Sequence, residues 1–236
     1  MSRHSRREFM VRSAAAGTLA LGATDLLAQQ ATPANMTIAK WAGPESDNAG
    51  QIDKIAAQLT QQAIDGLGGM KRFVSRGDVV WVKPNIAWDR APELAANTHP
   101  DVVATVVRMC FDAGAKVVKV GDNPCHQAEK TYVSTGIPAA AKAVGAQIVT
   151  LDKRRVREVN IGGERVKSIP MFPEILDVDV LINVPIAKHH RSAGLTLCMK
   201  NYMGVIEQRR TFHQAIPECL TDLTRFMKPR TALQVL

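Results

Sequence analysis

"GDVVWVKPN" (residues 77–85) and "THPDVVATVVRMCFDAGAKVVKVGD" (residues 98–122) decide the fold. The first is a short apolar run rich in valine, which reads as a buried strand stopped by Pro84. The second opens with Thr98 as a cap, Pro100 in the first turn and Asp101 at a capping-box spacing. Val102, Val103, Val106, Val107 and Cys110 then recur on one helical stripe, Gly114 stops it, and "KVVKVGD" forms the next strand. A strand, a helix and a strand in that order make a βαβ unit, which imposes a parallel pair.

The same grammar extends both ways. "QIDKIAAQLTQQAIDGLGG" carries Ile52, Ile55, Ala56, Leu59, Ala63 and Ile64 on one stripe. A helix near 137–144 precedes the strand "AQIVTL", "DVDVLINVP" is a fully apolar strand, and residues 195–203 read as helical. Ile216, Leu220, Leu223 and Met227 define a last helix before the apolar "TALQVL". Residues 155–169 alternate polar and apolar around Gly162-Gly163 and predict a small β-hairpin excursion. The expected fold class is α/β: a mostly parallel sheet with helices on both faces, Rossmann-like and three-layered. Low aromatic content, 5%, fits strands built from Val, Ile and Ala.

Residues 1–34 read as something other than fold. Arg6-Arg7, Phe9-Met10 and a short apolar run from Ala14 to Ala23 describe a twin-arginine export signal, too short to span a bilayer. Cleavage fits after Ala28 or, with slightly better small-residue spacing, after Ala34. The expected partner is the twin-arginine export machinery, the expected location is periplasmic or otherwise exported, and no membrane span is expected in the mature protein. The formal charge of +8 is spread in pairs of Lys and Arg. No basic face interleaved with aromatics accompanies it, so nucleic acid is not an expected partner. Cys110, Cys125, Cys198 and Cys219 are scattered without a C-x-x-C, which excludes an iron–sulfur or structural zinc motif within this chain. Dinucleotide loops, a P-loop, G-x-S-x-G and H-E-x-x-H are absent from the sequence.

Three strands end in polar residues: Lys83-Pro84-Asn85, Gly121-Asp122-Asn123, and Asn183-Val184-Pro185 leading to Lys188, His189 and His190. In a parallel sheet these gather at the carboxyl edge, where open α/β sheets bind ligands. Thr98 and His99 open a helix at that edge, and Lys200-Asn201 can fold back over it. Two chemistries suit the set. Lys83, Lys188 and Lys200 with Asn85, Thr98, Asn183 and Asn201 suit a small anionic ligand, with His99, Asp122, Lys188 and His189 as acid–base groups. His99, Asp122 and His189 alternatively form a mixed nitrogen and oxygen site for a divalent metal, with at most one of the adjacent histidines as ligand. An enzyme acting on a small anion and a non-catalytic periplasmic binding or redox-associated accessory protein both fit these residues.

"VVWVKPNIAW", "NTHPDVVATVVRMCFDAGAKVVKVGDNP", "STGIPAAAKAVGAQIVTLD" and "VDVLINVPIAKHHRSAGLTLCMKNYMGVI" together resemble the bacterial and archaeal family known as domain of unknown function 362. The resemblance covers residues 50–236 and lands on Lys83, Asn85, Thr98, His99, Asp122, Asn183, Lys188, His189, Lys200 and Asn201. Some members carry a ferredoxin-like module with clustered cysteines. This chain lacks one, so the resemblance implies no cluster here. Members usually continue past this point with a Gly/Pro-rich segment, so the expected domain, 35–236, is truncated at its C-terminus.

Overall fold

The computed structural model describes residues 34–236. The export-signal reading falls on residues 1–34 and so lies almost wholly outside them. Met36–Leu236 forms one compact unit. Its central sheet has five strands: β1 (Val79–Pro84), β2 (Val117–Val120), β3 (Gln147–Ile148), β6 (Val180–Val184) and β9 (Thr231–Gln234). They lie in the order β3-β2-β1-β6-β9, and every neighbouring pair is parallel. The chain therefore fills the sheet outward from β1 in one direction and, after β3, outward through β6 in the other. The strand order reverses between β1 and β6, and such a reversal opens a crevice at the carboxyl ends.

Alternation along β1 divides the core. Val80 and Val82 face a cluster with Val118, Val120 and Ile182, covered by α1 (Ala49–Gly66), α2 (Pro100–Ala113) and α4 (Ile137–Ala143). On the other face Trp81 and Leu181 pack with Met171, Phe172, Tyr202, Phe212 and Leu223, covered by α7 (Ile216–Met227) and the small helices α5 (Pro173–Leu176) and α6 (Cys198–Asn201). This is the expected three-layer α/β arrangement. The α2 stripe holds as read, with Val103, Val106, Val107 and Cys110 fully buried. Fully burying such a side chain contributes roughly 1.5–3 kcal/mol. Gly114 ends α2 at φ 106°, a left-handed cap that favours glycine.

Several local expectations change. The first hairpin exists as β4 (Arg157–Asn160) paired with β5 (Ser168–Met171). A second, unexpected hairpin joins β7 (Lys188–His190) to β8 (Gly194–Thr196) within the stretch read as loop and helix. An additional helix, α3 (Ala128–Ser134), precedes α4. Ile52, assigned to the buried stripe of α1, is 39% exposed. Among the described residues no helix is long and apolar enough to cross a membrane.

Candidate functional site

At the end of β1 the chain places a lysine on the Trp81 face, where water is excluded. Lys83 is fully buried and its Nζ lies 2.8 Å from Asp122 Oδ1, just past the end of β2. Asp122 is consumed locally: Oδ1 also accepts from Asn123 N at 2.9 Å, and Oδ2 accepts from Ile86 N at 2.9 Å. Burial pulls the Lys83 ammonium below its usual range, and the Asp122 carboxylate opposes that pull. Gly204 closes over the pair. A Cβ there would lie 1.8 Å from Asp122 Oδ1 and 2.6 Å from Lys83 Nζ, so only glycine fits.

A chain of amides runs from the sheet to the cavity. Asn183, fully buried on β6, donates to Gln234 Oε1 at 3.2 Å and to Cys198 O at 3.1 Å, and accepts from Asn201 Nδ2 at 2.8 Å. Asn201 Oδ1 accepts from Asn85 Nδ2 at 3.0 Å, and Asn85 Oδ1 accepts from Lys188 Nζ at 2.7 Å. Each link fixes the orientation of the next amide, so the register of β1 and β6 determines where Lys188 stands. Lys188 also donates to Ala96 O.

The cavity beside this network measures about 130 Å³, well above the ~10–15 Å³ one water needs. Asn85, Asp122, Lys188, Lys200 and Asn201 line it, as expected from the strand ends. Its wall also carries His190, the neighbour of the histidine preferred from the sequence, and Cys125, Thr196, Arg209 and His213, which the sequence did not single out as site residues. Burial lowers Lys188 to about 8, with Cys125 and Asp122 opposing and Lys200 reinforcing the shift. Burial likewise lowers Lys200, whose Nζ donates to the Met203 thioether at 3.2 Å, a weak acceptor. Arg209 is held by backbone carbonyls: Nε donates to Met203 O at 3.0 Å, Nη1 to Pro124 O at 3.2 Å, and Nη2 to Asn123 O.

The two cavity histidines are set in different tautomers by their hydrogen bonds. His190 Nδ1 accepts from Ser192 N at 3.3 Å and from Ala193 N at 3.1 Å, so a neutral ring carries its proton on Nε2. Burial, followed by Lys200 and His213, lowers its pKa and favours that neutral form. His213 Nδ1 lies 2.9 Å from Arg209 O, a carbonyl that can only accept. A neutral ring therefore carries its proton on Nδ1 and its lone pair on Nε2. One ring offers a donor and the other an acceptor.

The remaining sequence-selected residues lie elsewhere. Thr98 is not the helix cap: its hydroxyl accepts from Asn85 N at 2.8 Å and donates to Val184 O at 2.7 Å, clamping the ends of β1 and β6. His99 is the cap instead, with Nδ1 accepting from Asp101 N at 3.2 Å and Nε2 lying 3.4 Å from Asp53. No residue of the first turn of α2 lines the cavity, so its N-terminus does not supply the anion contacts expected of it. His189 is exposed because β7 alternates, turning Lys188 and His190 toward the cavity and His189 away. His99, Asp122 and His189 are thus not assembled into one metal-ligand set. The cluster of metal-ligating types among the described residues is Asp53, His99 and Asp101, at the contact of α1 with the start of α2.

Residues 80–234 match the family described as domain of unknown function, DUF362. The chain is a DUF362 protein. That match contains every residue of the cavity wall and of the amide chain, so the site lies within the family's own domain. A thylakoid-associated protein of Synechocystis sp. is 31% identical over 144 residues, which is 61% of this chain and 44% of that protein. The DUF362 chain thus spans under half the length of this relative. A crystal structure of a Thermotoga maritima protein aligns at TM-score 0.40 and 14% identity, covering 74% of this chain and 41% of that one.

Proposed function

We propose that this DUF362 protein is exported by the twin-arginine route and binds a small anionic molecule, a phosphate or short carboxylate, at the carboxyl ends of β1, β2 and β6. One observation carries the reading. Among the described residues Asp122 is the carboxylate of the cavity wall, and its oxygens are already spent on Lys83 and two backbone N–H groups, so Lys188, Lys200 and Arg209 face the cavity with no ion pair of their own. Cations gathered in a partly buried concavity repel one another and lose hydration, and an anion relieves both costs.

Acting on that anion is the second part of the proposal. His213 Nε2 serves as base, His190 Nε2–H as donor, and Lys188, with a pKa of about 8, as a group able to exchange a proton near neutral pH. The hydrogen bonding of His190 supports an anion over a metal, because a neutral Nε2–H has no lone pair to give. The name of the Synechocystis relative supports a location at or beyond a membrane.

Native mass spectrometry and elemental analysis of full-length protein from the exported fraction test the reading. A small anion retained by the wild type and lost in Lys188→Met is expected. A stoichiometric divalent metal with no anion would overturn it, and an anion held tightly without turnover of any tested ester or acid would make the protein a carrier.

A further inference from the structure

We propose that Cys125 is the nucleophile of this cavity, a thiol that reacts with small anionic electrophiles gathered by Lys188, Lys200 and Arg209. The inference rests on the anion-site reading above and adds a covalent step to it.

Cys125 differs from the other cysteines in place and setting. Cys110 and Cys219 are buried, Cys198 is half-buried and does not line the cavity, and Cys125 is exposed on the cavity wall. Its backbone N–H donates to Ala87 O at 2.9 Å, and its Sγ accepts from Arg209 Nη1 at 3.1 Å. Because carbonyls hold the guanidinium on Nε, Nη1 and Nη2, the sulfur meets a fixed cation. Lys188 and Lys200 share the cavity wall with this sulfur.

A second observation points independently to a ligand beside it. Thr196, on β8, lines the cavity and is 3% exposed, and its hydroxyl has no hydrogen-bond partner among the described residues. Buried hydroxyls are nearly always paired, and of the unpaired ones among the described residues Thr196 is the one on this cavity wall, where a ligand oxygen would complete it. An anion oxygen against Thr196 and the lysines would hold the rest of the molecule near Cys125 Sγ. The thiolate is the reactive form of cysteine, and a cationic wall raises the local concentration of anionic reagents.

The test compares iodoacetate with neutral iodoacetamide on the full-length protein. In either reaction a carbon–sulfur bond forms, the carbon–iodine bond breaks, iodide leaves with the electron pair, and the thiol proton passes to the buffer. Peptide mapping should find Cys125 labelled first. The iodoacetate-to-iodoacetamide rate ratio should exceed that of free glutathione by about tenfold or more. Inorganic phosphate should abolish the excess in the wild-type protein, a control that needs no variant, and Lys200→Met should reduce it. First labelling at Cys198, or a ratio equal to that of glutathione, would overturn the inference. If phosphate binds by calorimetry while the ratio matches glutathione, the thiol step fails and the anion site stands. If phosphate does not bind, both fall.

Discussion

Lys83 lies at the end of the apolar strand β1 and Lys188 just beyond the apolar strand β6, yet they live in opposite surroundings. Lys83 is sealed with Asp122 under Gly204, every charge matched. Lys188 stands at an open wall, held by an amide and a carbonyl, with its charge uncompensated. The first environment builds the strand ends and the second leaves a charge for something else to meet. Charge alone does not mark a ligand site; charge left over after the fold has satisfied itself does.

The comparison breaks most visibly at Asp122. Asp122→Ala would leave the Lys83 ammonium buried and unpaired and two backbone N–H groups without acceptors, so urea unfolding should show a loss of about 3–5 kcal/mol. A loss below about 1 kcal/mol would mean the pair does not hold the strand ends. Gly204→Ala should cost about 1–3 kcal/mol by forcing a methyl into the same pair, read in the same assay. Lys188→Met should behave in the opposite way. Water can reach the acceptors it abandons, so stability should change by under about 1 kcal/mol, while anion affinity falls about tenfold or more by calorimetry.

A further effect is in pH. Lys188 titrates near 8 in the folded chain against a usual 10.5, so between those values the unfolded chain holds more protons and stability rises with pH. Below about 8 the penalty of its buried charge is present in full. Anion affinity runs the other way: it is highest below about 8 and falls as Lys188 loses its proton, with the bound anion moving that fall upward. Lys188→Met should flatten both slopes, and an unchanged affinity profile in that variant would assign the dependence to another group.

Sequence carried the sheet because valine-rich runs ending in Lys-Pro-Asn, Gly-Asp-Asn and Asn-Val-Pro need little context to read as buried parallel strands. It missed β7 and β8 because "KHHRSAGLT" has no apolar alternation, and a hairpin held by a turn at Gly194, φ 70°, leaves only a weak signal. That omission decided the histidine. Period-two alternation from Lys188 selects His190, whereas reading the segment as loop left His189 equally eligible. Arg209 and Cys125 sit in loops and His213 in a single 3-10 turn, Thr211–Gln214, whose approach to the strand ends depends on tertiary packing, so no local pattern pointed to them. Thr98 was legible as important but not as a clamp, since its acceptor, Val184 O, is 86 residues away.

The central claim is that the unmatched cations at the β1–β6 crevice hold a small anion. Titration calorimetry of inorganic phosphate into the full-length protein at pH 7, beside a Lys188→Met/Lys200→Met double variant, tests it most directly. Saturable binding in the wild type, weakened by about tenfold or more in a folded double variant, is the predicted result. Absence of binding in the wild type, or equal affinity in the two proteins, would contradict it.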